Sequence, residues 1–207
     1  MPPRARLATR RIRSWEMAEV VLFHHAHGLT SGCLAFADRL RAAGHVVHTP
    51  DLYDGETFAE LSDGIGYARR VGFDTIVDRG VAAAETLPRE LVYAGMSLGA
   101  MPAQKLAQTR PGAKGAVLLH GAIPPSEFGG AWPRGVPLQI HLMEDDEFAL
   151  EGDLEAARDL DDTVEGAALF LYPGDRHLFT DRGLPDYDAD ATTLVEQRVV
   201  AFLDGIE

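Results

Sequence analysis

Leu91-Val92-Tyr93-Ala94-Gly95-Met96-Ser97-Leu98-Gly99 is a short apolar run that breaks into a glycine-bracketed serine, and residues 98–109 carry Leu98, Met101 and Leu106 at helical spacing. Strand, tight turn and helix in that order are the context in which a G-x-S-x-G turn holds a serine in a strained conformation, its hydroxyl exposed at the edge of a sheet. The turn closes only if the neighbours two positions either side are small, and Gly95 and Gly99 meet that need. The helix that follows aims its N-terminal amides at the reacting centre, where they favour a developing negative charge. Ser97 is therefore read as a nucleophile.

Five further runs rich in Val, Leu, Ile and Tyr lie at residues 20–24, 46–49, 116–120, 138–143 and 168–172. They show little apolar/polar alternation, as strands covered by helices on both faces should. The expected architecture is a parallel sheet in a three-layer α/β sandwich. Helical spacing runs through residues 33–43 up to Gly44, through 74–87 up to Pro88, through 98–109 up to Arg110-Pro111-Gly112, and through about 188–204. Pro102, inside the first turns of the third helix, marks a kink or an early irregularity. Residues 50–67 and 121–137 read as long irregular segments after strand ends, where α/β proteins build their sites.

With 46% apolar and 25% charged residues in 207, the composition is that of a globular chain with room for one sizeable core. Nineteen basic against 32 acidic residues give a net charge of −13, and the five arginines among residues 1–16 make the rest more acidic than the whole. Such a body repels phosphate backbones, so neither nucleic acid nor an anionic membrane is an expected partner. Residues 1–16 are read as a basic extension, flexible or non-native, before a start at Met17, and residues 17–207 as a single domain. Cys33, the only cysteine, excludes an intrachain disulfide and a cysteine metal cluster and fits a cytoplasmic setting. The expected state is a monomer or homodimer.

A serine hydroxyl is a weak nucleophile and needs a histidine base oriented by a carboxylate. After a serine elbow these partners follow in the order acid, then histidine, each in a loop after a strand. The run ending at Met143 leads into Glu144-Asp145-Asp146-Glu147-Phe148, and the run ending at Tyr172 into Pro173-Gly174-Asp175-Arg176-His177-Leu178-Phe179. His177 is the only histidine after His141, so it is the base; four carboxylates in a row leave the acid open.

Pro50-Asp51-Leu52-Tyr53, Gly95 to Gly99, His141 to Phe148, and Tyr172-Pro173-Gly174 with His177-Leu178-Phe179 together resemble the dienelactone hydrolase family of the α/β-hydrolases. The resemblance spans residues 20 to about 204. It places the acid in a D-x-F triplet and so implies a Ser97–Asp146–His177 triad, with Asp145 as the runner-up acid. It also implies an oxyanion hole made by the backbone N–H groups of Ala26 and Leu98. Few residues precede Val20, so a compact fold is expected: six mainly parallel strands in the order 2-1-3-4-5-6, without the usual N-terminal antiparallel hairpin.

Three departures from the family bear on substrate. The nucleophile is Ser97 where the dienelactone hydrolases proper carry cysteine. His25 stands where they place a glutamate, and Asp181 where they keep an arginine for a substrate carboxylate. Asp181 thus argues against an anionic substrate. The expected activity is cleavage of a small ester or lactone through an acyl-enzyme on Ser97. The alternatives are a thioesterase or acyltransferase with the same triad, and a non-catalytic small-ligand-binding homologue.

His25, Tyr53, Trp132, Phe148 and Phe179 are the expected pocket residues, since all fall in or beside the loops of the active edge. His24, His25 and His27 invite a metal, but no downstream ligands at characteristic spacing complete a site, so no metal and no cofactor are expected. Gly28-Leu29-Thr30-Ser31-Gly32 lacks the lysine of a phosphate loop and the spacing of a dinucleotide fingerprint. Cys33 reads as small core filler.

Overall fold

The computed structural model describes residues 17–206. In chain order the regular elements are β1 (Glu19–Phe23), α1 (Ser31–Ala42), β2 (Val46–His48), α2 (Leu61–Val71), α3 (Phe73–Glu85), β3 (Val92–Met96), α4 (Ala100–Thr109), β4 (Gly115–Leu119), β5 (Leu138–Met143), α5 (Leu154–Thr163), β6 (Ala167–Tyr172) and α6 (Ala189–Leu203). Every strand read from the sequence is present, with ends shifted by a residue or two. The reading of residues 1–16 lies outside the described residues.

Alternate residues of each strand feed two separate cores, which explains the unbroken apolar runs. Val21, Phe23, Tyr93, Leu118 and Ile140 face the core built with α2 to α5. Val20, Leu22, Val92, Val117 and Leu119 face the opposite core, built with α1 and α6. Burying each such side chain contributes roughly 1.5–3 kcal/mol, so a polar residue at either parity would cost a core contact.

The sheet order is β2-β1-β3-β4-β5-β6 and all five pairings are parallel, as in Val20↔Val92, Met96↔Leu119 and Met143↔Tyr172. No antiparallel strand precedes β1 among the described residues. The chain steps outward from β1 to β2 and then back past β1 to β3. Crossovers leave in opposite directions there, so the C-terminal ends of β1 and β3 open a crevice at the switch point, where open α/β sheets bind ligands.

Two helices differ from the sequence reading. Residues 61–71, placed in an irregular segment, form α2, and residues 154–163 form α5. α2 carries Ser62, Asp63, Gly64 and Gly66, so its intrinsic helix preference is poor and tertiary packing decides. A Cβ on Gly64 would lie 1.9 Å from the Ala26 carbonyl oxygen, so α2 presses its glycine directly against the loop that follows β1. Pro102 produces no kink inside α4. Ser97–Gly99 forms a 3-10 turn first, and α4 starts at Ala100, which leaves Pro102 in the first turn, where its missing N–H costs nothing. No described helix is long and apolar enough to cross a membrane.

Candidate active site

The turn after β3 has the strain its sequence predicts. Ser97 adopts φ +50°, left-handed backbone that a side-chain-bearing residue rarely takes. A Cβ on Gly95 would meet Gly99 O at 2.1 Å, and one on Gly99 would meet Phe23 O at 2.3 Å. The two glycines therefore let the turn fold back on itself and dock on the end of β1, bringing the serine beside the loop after β1.

Three loops converge on the hydroxyl. Ser97 Oγ lies 2.8 Å from His177 Nε2, and His177 Nδ1 lies 2.7 Å from Asp146 Oδ2. The ionised carboxylate accepts from Nδ1–H, which leaves Nε2 free to accept the serine proton. Asp146 is 1% exposed and its other oxygen accepts from the Phe148 amide at 3.0 Å, so the carboxylate is fixed at both ends. Asp145 is exposed, and only its backbone amide is engaged, with Gly174 O.

The loop after β1 is held by its histidines. His24 Nδ1–H donates to His25 O at 2.8 Å, and Nε2 accepts from the Leu52 amide at 2.9 Å. Both nitrogens are thus spent in the neutral ring, and burial pushes its pKa down to about 4. His25 Nε2 meets Asp181 Oδ2 at 2.8 Å and its Nδ1 faces the His27 amide at 3.3 Å. Burial alone would lower His25, but the Cys33 sulfur and the Asp181 carboxylate beside it hold its pKa up at about 9. His27 Nδ1–H donates to Phe58 O at 2.8 Å, and the Phe58 amide returns a bond to His27 O at 2.9 Å.

Ala26 sits inside this clamp. Neither its amide nor that of Leu98 is engaged by a loop, cap or side-chain acceptor among the described residues, although Ala26 is 4% and Leu98 9% exposed. Buried amides without acceptors are costly, and they suit a site whose acceptor arrives with a ligand.

The expected pocket residues separate. Phe148, 39% exposed, tilts its ring over His177 with centroids 4.4 Å apart. Tyr53 is fully buried, edge-on to His24 and against Tyr67, and Phe179 is fully buried between His120 and Tyr172. Trp132 lines a separate cleft of about 600 Å³ with Pro124, Arg134 and Thr163, a cleft that includes none of Ser97, Asp146 and His177. His25 is 1% exposed and acts from behind the loop. Tyr53, Phe179 and His25 are corrected from pocket wall to supporting structure, because a ring in a loop is buried where the loop passes over the core, whereas Trp132 lines a cleft away from the triad.

The reading of Asp181 as a charge facing substrate is also corrected. It is 1% exposed, and its oxygens accept from His25, Thr30 Oγ1 and the Gly183 amide. Burial alone would raise its pKa, but these bonds hold the carboxyl below its ordinary value. The two positions that depart from the family are thus partners of each other. Donor atoms of His25, Cys33 and Asp181 lie within 4.8 Å, the one such trio among the described residues, but the imidazole–carboxylate bond already occupies it.

Two residues near the triad have no counterpart in the sequence reading. His120, at φ +62° after β4, is 1% exposed, bonds Thr180 Oγ1 through Nε2 at 2.7 Å and places its ring 6.2 Å from that of His177. Burial, with His177 nearby, keeps it neutral, its pKa well below the ordinary value. Asp153, the last residue of a kinked segment over Ala149–Asp153, brings another carboxyl to the site. The signal that could have pointed to it is Gly152 directly before it, at φ +142°.

A profile of the dienelactone hydrolase family matches residues 4–206. No curated protein matches the chain. Among solved structures, a dienelactone hydrolase-like promiscuous phosphotriesterase from metagenomic libraries is similar at 22% identity, over 94% of this chain and 88% of that one, with a TM-score of 0.72. A dienelactone hydrolase from Anabaena variabilis is similar at 22% identity, over 92% and 88%, with a TM-score of 0.64. Esterase PE8 is similar at 19% identity, over 92% and 93%, with a TM-score of 0.60. With the family profile spanning nearly its whole length and the sheet in the matching order, the chain belongs to the dienelactone hydrolase family of the α/β-hydrolases.

Proposed function

We propose that the protein is a serine hydrolase that cleaves a small ester or lactone through an acyl-enzyme on Ser97. The observation that carries this reading is the unbroken chain from Ser97 Oγ through His177 to Asp146, at 2.8 and 2.7 Å. In the first step His177 Nε2 takes the Ser97 proton as Oγ forms a bond to the substrate carbonyl carbon. The carbonyl π electrons move onto oxygen, and that oxyanion is received by the Ala26 and Leu98 amides. Asp146 holds the Nδ1–H tautomer and stabilises the imidazolium.

Collapse of the tetrahedral species breaks the bond to the leaving oxygen, which takes the proton from His177. Water, deprotonated by the same nitrogen, then attacks the acyl-enzyme and releases the acid with the proton returned to Ser97. The 3-10 turn and α4 that start at the nucleophile add a favourable dipole at the oxyanion. The ester and dienelactone activities named for the structural relatives belong to those proteins; they support the same class of chemistry here.

Labelling with a fluorophosphonate probe, together with turnover of p-nitrophenyl acetate, tests the reading. The wild type is expected to be labelled and active, and Ser97→Ala to lose both, with kcat down by about a millionfold for loss of a triad nucleophile. Full activity in Ser97→Ala would sink it.

A further inference from the structure

The kinked segment Ala149–Asp153 lies at the active edge and takes no part in the chemistry of the triad. It starts directly after Phe148, whose ring tilts over His177, and it ends at Asp153, before α5. Gly152 within it takes φ +142°, a conformation that side chains rarely adopt, so the kink is built into the sequence. A kink of this kind turns the side chain that follows it out of helical register.

The re-aimed side chain is that of Asp153. Its Oδ2 lies 3.2 Å from the point where a Cβ on Gly121 would stand, and that same point is 3.6 Å from Ser97 Cα and 3.5 Å from Ser97 O. The carboxyl therefore stands beside the backbone of the elbow, and glycine at 121 lets the two approach without an intervening methyl group. The Ala122 backbone beside the carboxyl favours its ionised form, and no Lys, Arg or His among the described ion pairs engages it. Asp153 is only part-buried and makes no side-chain hydrogen bond among the described residues, so its lone pairs are free to accept one.

We infer that Asp153 is a specificity-determining residue that accepts a hydrogen bond from a hydroxyl on the acyl part of the substrate, close to the scissile carbonyl. The preferred class is then a hydroxy-substituted ester or lactone. This rests on the serine-hydrolase reading and deepens it. The geometry suits a neutral donor: the carboxyl is half withdrawn from water and burial raises its pKa to about 6, so in neutral solution it is an acceptor already desolvated for one more bond.

The test compares p-nitrophenyl 3-hydroxybutyrate, in both enantiomers, with its 3-methoxy analogue and the unsubstituted butyrate. In the wild type kcat/KM for one hydroxy enantiomer is expected to exceed that for the methoxy ester by about tenfold or more, the value of a hydrogen bond to a charged group. Asp153→Leu brings the ratio to about one. Asp153→Asn, which keeps a carbonyl acceptor of the same shape, retains part of it. A wild-type ratio near one, or a wild-type ratio surviving in Asp153→Leu, overturns the inference.

Should Asp153→Leu fail to fold, the Asn variant and the pH dependence of the wild-type ratio decide. His177, Asp146 and Glu151 also face Asp153. Titration of the triad acts on both substrates and cancels in the ratio, whereas protonation of Asp153 weakens only the bond to the hydroxyl. The ratio is expected to fall as pH drops through about 6, and a ratio flat from about pH 8 to pH 5 overturns the inference. Equal turnover of all three esters removes only the role of Asp153. No turnover and no fluorophosphonate labelling remove the serine-hydrolase reading itself.

Discussion

The nucleophile stands between two walls built on opposite physical terms. On the β1 side His24, His25 and His27 are at most 5% exposed, and every ring is bonded to backbone or to Asp181. On the β5 side, beyond the buried Asp146, Phe148 is 39% and Leu150 61% exposed, the backbone kinks at Gly152, and the Asp153 carboxyl has no Lys or Arg partner among the described ion pairs. Under the proposed mechanism the closed wall spends its polar groups on holding the Ala26 amide still, as preorganised charge stabilisation requires. The open wall leaves its groups unspent, which is where a substrate can still gain contacts. Catalytic power should therefore be lost by breaking the first wall, and selectivity by altering the second.

Of changes to the two walls, Asp181→Ala gives the largest expected effect. It strands His25 in the interior and frees Thr30, and breaking a buried charge pair from one side typically costs about 3–5 kcal/mol. For a chain of this size that lowers Tm by about 10 °C. As the Ala26 amide drifts, kcat on p-nitrophenyl acetate is expected to fall by about a hundredfold, the scale of losing an oxyanion donor. Thermal unfolding and steady-state kinetics read both, and an unchanged Tm with unchanged kcat would mean that the closed wall is held by other bonds.

Acid attacks the same wall more gently. His24, lowered to about 4 in the fold, returns to an ordinary value of about 6.5 in the unfolded chain. Between those values the unfolded chain binds a proton that the fold refuses, so stability rises with pH in that window and is lost as pH falls through it. At pH 5 this one ring costs about 2 kcal/mol relative to pH 7. His141, buried and lowered to about 3, acts in the same direction, whereas His25, held up at about 9, opposes the pair by a smaller amount over this interval. Urea unfolding at the two pH values measures it, and equal stability at both would count against the neutral, doubly bonded His24.

The closed and open walls also differ in how far the sequence discloses them. The elbow is legible because its requirements are local: a strand, two small residues at fixed offsets and a helix start. His177 is legible because a single histidine stands in its stretch, and Asp146 emerges from its neighbours only through the family resemblance. The His25–Asp181 bond joins residues 156 apart, and neither carries a local signal for the other. Asp153 stays hidden because α5 shows only a narrow apolar stripe, Leu154, Ala156, Ala157 and Leu160, beside many acids. The pocket aromatics fail for a different reason. A ring in a loop declares that it will be buried, but the path of the loop decides whether against substrate or core, and Tyr53 and Phe148 took opposite routes.

Phe148→Ala carries the smallest expected effect and the sharpest contrast with Asp181→Ala. The ring is partly in water and rests on His177 by one face, so its loss costs the fold only about 0.5 kcal/mol, and Tm shifts by a degree or two. What it offers a bound acyl chain is roughly 30 Å² of apolar surface, about 0.8 kcal/mol, or a threefold rise in KM. That rise should grow with acyl length, because a longer chain covers more of the ring, so the comparison runs from p-nitrophenyl acetate to the hexanoate. A KM increase independent of chain length would show that Phe148 acts through His177, and the exposed segment after Asp146 would then serve the triad as the β1 loop serves the Ala26 amide.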